Sequence, residues 1–305
     1  MESLPSLMPR LRSGSGRTRR IDRLGWVAGT CFDAHGLRAG VRTNAPALLE
    51  RLEPHLPPGW RACKSPLVDH VFSIWVDPAG GGPSRPNRVY SGRHRRARTA
   101  DLSEALVVLE TEIRQCVAAS AAHRTFVHAG VVGWRGRAIL VPGRSRSGKT
   151  TLVAELVKSG ALYLSDEFAV LDGRGRVHPF AKPLTIRGVG GCDVHARARR
   201  AEELGGSVGQ RPLPVGLVVL AEHRAGAAWR PEPLTRGQAV LEMLAHTVPA
   251  RLRPEASIAS LSRAVANATL LKGARGEAGE LVPELLRLLE TNPAPRRGTA
   301  AGGTR

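Results

Sequence analysis

The run Gly143-Arg144-Ser145-Arg146-Ser147-Gly148-Lys149-Thr150 fits the pattern GxxxxGK[ST], and no other feature narrows the fold as much. The pattern has meaning only between a strand and a helix, and both are readable. Arg137–Pro142 (RAILVP) is a short apolar run of strand type. Lys149–Lys158 places Leu152, Val153, Leu156 and Val157 on one helical face, with Gly160 just past its end. Such a turn converges backbone N–H groups on one point and adds the positive end of the helix dipole, which suits phosphate oxygens. Gly143, Arg144, Ser145, Arg146, Ser147, Gly148, Lys149, Thr150 and Thr151 are therefore the expected nucleotide-binding residues. Lys149 would reach the β- and γ-phosphates of ATP, and the Thr150 hydroxyl would ligate Mg²⁺.

Arg146 breaks the usual form of the loop, because a Gly is commoner in the middle, where φ is often positive. A left-handed Arg costs about 1–2 kcal/mol. Its guanidinium would offset that cost if it met the phosphates directly. The residues alone leave both alternatives open.

The chain has 305 residues, and its remaining patterns alternate between strand and helix types. Residues 71–76 (VFSIWV) and 88–90 read as strands of a β-rich region with antiparallel pairing. Residues 101–122 read as a helix with Asp101 as N-cap, Glu104 completing a capping box, and Leu102, Leu106, Leu109, Ile113 and Val117 as its stripe. Beyond residue 124 the strand runs 125–133, 137–142, 161–164, 168–171, 176–180 and 215–220 accompany helices near 149–158, 236–245, 258–266 and 281–289. Four segments follow: a disordered basic arm at 1–20, an α+β region at 21–123, a P-loop domain at 124–290 and a disordered tail at 291–305. The region 21–123 reads as too short of apolar residues to fold alone, so it is expected to pack on the P-loop domain rather than act as a separate binding module.

The net charge of +19 raises the question of nucleic acid. Forty of the 45 basic residues are Arg, a bias that fits GC-rich codon usage. The basic clusters are not interleaved with the aromatics on which single strands stack, so nucleic acid is not an expected partner. Cys31, Cys63, Cys116 and Cys192 show neither a disulfide framework nor zinc spacing. With no spanning apolar run and no secretory pattern at the N-terminus, a cytoplasmic protein without a membrane partner is expected. His178, His195, His223 and His246 share no metal-ligand spacing.

From His128 to about Val194 the chain resembles the catalytic domain of HPr kinase/phosphorylase. His128-Ala129-Gly130 lies fifteen residues before Gly143, as that family's His-Gly lies before its P-loop. Asp166 lies seventeen residues after Lys149, where the family has paired aspartates. Leu184-Thr185-Ile186-Arg187-Gly188-Val189-Gly190 is similar to its signature LEIRGLG, and Leu156-Val157-Lys158-Ser159-Gly160 to its ELVKRG. The resemblance implies an α/β fold of the HPr kinase / phosphoenolpyruvate carboxykinase type, preceded here by a small β-rich α+β region. It implies an ATP- and Mg²⁺-dependent kinase that phosphorylates a serine on a small protein or peptide, with homo-oligomers left open. Asp166 would then take the hydroxyl proton, His128 would orient Asp166 or meet phosphate, Glu167 would join Thr150 at Mg²⁺, and Arg187 would clamp the transferring group.

Three positions depart from the family. Glu167 replaces the second aspartate, Thr185 replaces the Glu of LEIRGLG, and Arg146 replaces a loop Gly. These place the chain among the relatives of HPr kinase rather than with the true HPr kinases. They also sustain a second expectation, a non-catalytic ATP-binding regulator.

Overall fold

The computed structural model describes residues 4, 6–12, 20–78, 86–144, 147–186 and 197–291. Ser145, Arg146 and Arg187 lie outside them, as do most of the two expected tails. The chain divides into two compact units, Met1–Arg124 and Thr125–Arg305, and the fold is mixed α/β.

In the first unit the strands are β1 (Arg10–Leu11), β2 (Ala28–Ala34), β3 (Leu37–Thr43), β4 (Trp60–Ala62), β5 (Leu67–Val68), β6 (His70–Trp75), β7 (Asn87–Ser91) and β8 (His94–Thr99). Six of them form one sheet in the order β4-β2-β3-β6-β7-β8. The β3–β6 pairing is parallel, so the antiparallel expectation fails at the sheet's centre. The two strands are consecutive in the sheet but separated by the crossover through residues 44–69, which pattern reading cannot orient. The expected disordered arm is ordered in part: β1 pairs parallel with β5, and Leu7 N–H donates to the Gly29 carbonyl at 2.8 Å.

Helix α1 (Leu102–Ser120) buries Leu106, Leu109, Ile113 and Val117, as its spacing requires. Asp101 caps it by accepting from Ser103 N–H at 2.8 Å. The capping box does not form, because Glu104 accepts instead from the Thr99 hydroxyl. Phe32, Val41, Phe72, Ile74 and Val89 are wholly buried, so this unit does have a core of its own. The sequence conceals it because short β-strands contribute only alternate residues to a core.

The second unit contains β9 (Thr125–Trp134), β10 (Arg137–Pro142), α2 (Lys149–Lys158), β11 (Leu162–Ser165), β12 (Phe168–Leu171), β13 (Arg176–His178), β14 (Leu184–Ile186), β15 (Arg197–Arg199), β16 (Leu213–His223), β17 (Glu232–Pro233), α3 (Arg236–Leu244), α4 (Pro254–Val265), β18 (Thr269–Arg275) and α5 (Ala278–Thr291). The main sheet runs β10-β9-β12-β13-β16-β18-β17, and β10 also pairs parallel with β16. Strands β9, β12, β13, β16 and β10 thus close into a ring. β9 pairs with β12 through residues 125–128, with β10 through 129–134 and with β11 through 131–133.

Alternation along β10 supplies both cores. Ile139 and Val141 pack with Leu152, Val153, Leu156 and Val157 of α2 and with Leu281 and Leu285 of α5. Ala138 and Leu140 face Val240 and Met243 of α3 and Leu261 and Val265 of α4. The helix α2 can lie this close to β9 because residue 130 is Gly. A Cβ there would stand 2.5 Å from the Val153 Cγ2 methyl. Gly130→Ala should therefore lower the unfolding free energy by about 1–3 kcal/mol through overpacking, as read by urea denaturation. A change below about 0.5 kcal/mol would show that the helix moves aside freely.

Candidate functional site

The strand–loop–helix turn expected from the sequence is present, with β10 entering the loop and α2 leaving it. Gly148 is the N-cap of α2 with φ of 83°, a left-handed geometry that glycine adopts without strain. The loop begins at a fixed point: Gly143 N–H donates to the His128 carbonyl at 3.2 Å. The Lys149 ammonium folds back on the loop, donating to the carbonyls of Gly143 at 2.8 Å and of Arg144. Burial pulls its pKa down to about 8, opposed by the Asp166 carboxylate. Thr151 points away from the core of α2 and is exposed.

Asp166 stands in the bend between β11 and β12. Its Oδ2 accepts from the Thr150 hydroxyl at 3.3 Å, so two residues sixteen apart in sequence meet at the start of α2. The buried Tyr163 hydroxyl, which donates to the Lys182 carbonyl at 2.7 Å, lies 3.3 Å from Asp166 Oδ1. Burial first, and the neighbouring Glu167 charge second, push the Asp166 pKa up to about 6. The Thr150 hydroxyl thus ties the first turn of α2 to the acidic bend.

His128 sits on β9 between the loop and the acidic bend. It is opposite Phe168 in the β9–β12 ladder, its ring 4.7 Å from the Phe168 ring, and the next residue's N–H donates to the Glu167 carbonyl at 3.2 Å. Burial holds its pKa below the ordinary imidazole value, with Glu167 acting in the opposite direction. Lys149, Thr150, Asp166, Glu167 and His128 are therefore gathered on one side of the loop. Thr185, on β14, is exposed.

Four residues of this region carried no sequence signal. A cleft of about 480 Å³ beside the loop is lined by Gly143, Arg144 and Ser147 and by His223, His246 and Lys272. His246 is tied to β9, since its carbonyl accepts from His128 N–H at 2.8 Å. Burial, then the charges of Lys149, Arg144 and His128, hold its pKa down. Lys272 pairs with Glu242. Arg275, at the end of β18, is 3% exposed and reaches under the loop. No spacing in the sequence ties any of these to the loop at 143–150, and β18 (TLLKGAR) has neither clear alternation nor an apolar run.

No three His, Cys, Asp or Glu side chains are clustered for a metal among the described residues. The donor set at Thr150 and Asp166 suits a hard divalent cation that keeps waters and phosphate oxygens as its other ligands. A carboxyl whose charged form is disfavoured by burial and a like charge is also one that a cation would relieve.

Fold and cluster together define a mixed α/β protein with a phosphate-type turn beside a buried carboxylate. No family model matches the chain. A curated relative, the HPr kinase/phosphorylase of Mycoplasma mycoides subsp. mycoides, is 34% identical over 104 residues, 32% of this chain and 31% of its own. The chain is a relative of HPr kinase/phosphorylase through that segment, which spans less than a third of the curated protein. The solved structure of the Hpr(Ser) kinase/phosphatase from Coxiella burnetii aligns with 54% of this chain and 94% of its own, at 14% identity and a TM-score of 0.28. That overlap is too loose to carry the fold. Among the described residues no helix is long and apolar enough to cross a membrane.

Proposed function

We propose that the protein is an ATP- and Mg²⁺-dependent kinase that phosphorylates a serine on a small protein or peptide in the cytoplasm. The observation that carries this reading is the 3.3 Å contact between the Thr150 hydroxyl and Asp166, which sets a carboxylate against the first turn of the P-loop helix. The fold is read as a P-loop domain of the HPr kinase / phosphoenolpyruvate carboxykinase type, spanning residues 124–290, with residues 21–123 as a separate α+β region. Backbone N–H groups of residues 143–151 and the Lys149 ammonium hold the phosphates. Thr150, Asp166 and Glu167 would hold Mg²⁺, which when bound neutralises charge across the phosphate oxygens.

The chain's own residues then move one proton. A serine hydroxyl is a weak acid, and Asp166 accepts its proton as the phosphoryl group transfers. With a pKa of about 6, Asp166 is ionised at pH 7 and is a stronger base than an ordinary carboxylate. His128, held neutral by burial, orients the acidic bend by its place opposite Phe168. Arg187 completes the set as a phosphoryl clamp.

The test is transfer of radiolabelled γ-phosphate from ATP by the full chain to small serine-bearing proteins and peptides. Label recovered as phosphoserine, and lost on adding a chelator, is the expected result. A second reading, a non-catalytic nucleotide-binding regulator, draws on Thr185, which is exposed and supplies no carboxylate. ATP binding without label on any acceptor would select it.

A further inference from the structure

A guanidinium as buried as that of Arg275 normally faces a carboxylate, because an isolated charge is costly to remove from water. Arg275 forms no ion pair among the described residues. Its Nη2 donates to the Gly148 carbonyl at 2.9 Å and its Nη1 to the Gly276 carbonyl at 2.9 Å. Its Nε is buried with no partner. Burial pulls its pKa down, and the Glu277 charge only partly opposes this. The cation is therefore fastened at two corners, and the Glu277 charge compensates it only in part.

What it is fastened to is the hinge of the phosphate turn. Gly148 is the left-handed N-cap from which α2 starts, and its carbonyl also accepts from Leu152 N–H at 3.2 Å. A Cβ on Gly148 would stand 2.5 Å from Arg275 Nη2, so any larger residue here would push the guanidinium off the turn. Arg275 itself is held in register by β18, whose partner β16 runs parallel beside it, and by Arg224 N–H donating to its carbonyl at 2.8 Å. Fixing the Gly148 carbonyl fixes the peptide plane it shares with the Lys149 N–H, one of the groups that opens the helix toward the loop.

We propose that Arg275 is a positioning residue of the phosphate site. Its fork sets the Gly148–Lys149 peptide for binding, and its charge, offset only in part by Glu277, is balanced when an anionic polyphosphate occupies the loop. This rests on the nucleotide reading given above and extends it to a residue on a strand distant in sequence. The charge makes the site favour highly charged ligands, so ATP should depend on Arg275 more than AMP does.

The experiment is titration calorimetry of full-length wild type, Arg275→Met and Arg275→Lys with Mg·ATP and with AMP, alongside thermal melting. Arg275→Met should melt within a few degrees of wild type, yet bind ATP at least tenfold more weakly with a smaller loss for AMP. Arg275→Lys, which keeps the charge and gives up the fork, should recover part of that loss. It decides the matter alone should the Met variant not fold: affinity several-fold below wild type supports the inference. Wild-type ATP affinity in either variant overturns the inference and leaves the nucleotide reading standing. Absence of any nucleotide binding by the wild-type chain removes both.

Discussion

Asp166→Asn should lower the rate of phosphate transfer by about 10²–10⁴-fold, the range for loss of a positioned general base. Asn has nearly the shape of Asp and still accepts from the Thr150 hydroxyl, so folding should change little. The pH dependence makes the assignment sharper. The folded chain holds the Asp166 proton up to about pH 6, against an ordinary value of 3.8. The base form, and with it kcat/KM, should rise as pH increases through about 6. The same shift contributes stability below the unfolded value that is lost as pH rises through about 6. On the alkaline side Lys149 loses its proton near pH 8 in the free protein, so kcat/KM should fall there and give a bell. A variant that transfers phosphate like wild type, or keeps the acid limb, would move the base elsewhere.

Lys149→Met should weaken ATP binding by about 10–100-fold, the loss of one charge-assisted hydrogen bond of roughly 1.5–3 kcal/mol. Transfer should fall by a further 10²–10³-fold, since a cation aimed at developing charge acts mainly in the transition state. Met matches the Lys stem in bulk, so packing against the loop is kept while the bonds to the Gly143 and Arg144 carbonyls are lost. Melting in the presence and absence of Mg·ATP checks this directly. Wild type should be stabilised by the nucleotide and the variant barely so. Equal stabilisation would mean that Lys149 serves only to close the loop on itself.

The parts of the site that were legible in the sequence are those written in local spacing. The turn around Gly148 and Lys149 needs only a strand before it and a helix after it, and both lie within twenty residues. Asp166 was reached through its distance from Lys149, which a resemblance to known kinases made meaningful. His246 and Arg275 were not legible, because their relation to the loop exists only once β16 and β18 have paired and the chain after α3 has returned to β9. Arg275 is also one of forty arginines, and nothing in its neighbourhood distinguishes it from a solvated one. The antiparallel expectation for the first unit failed for a related reason. Alternation reports which face of a strand is buried, but it carries no information about the direction of the neighbour. The N-cap of α1 was read correctly from Asp101, whereas the box partner Glu104 was taken up by Thr99 from the preceding strand.

The ring of β9, β12, β13, β16 and β10 has a mechanical consequence. In an open sheet a strand slides by shearing the ladder on one side, and an edge strand can peel. In a closed circuit each member is clamped on both flanks, so a displacement of one must be absorbed all the way around. The Gly143–Thr150 turn leaves from β10, His128 rides on β9 and Asp166 lies two residues before β12, so all three are anchored to a frame that resists independent drift. Stiffness of this kind fixes the spacing between the turn, His128 and Asp166. Independent motion is left to parts outside the circuit. Among the described residues these include β14 and β15, which pair only with each other and carry Thr185 on an exposed face.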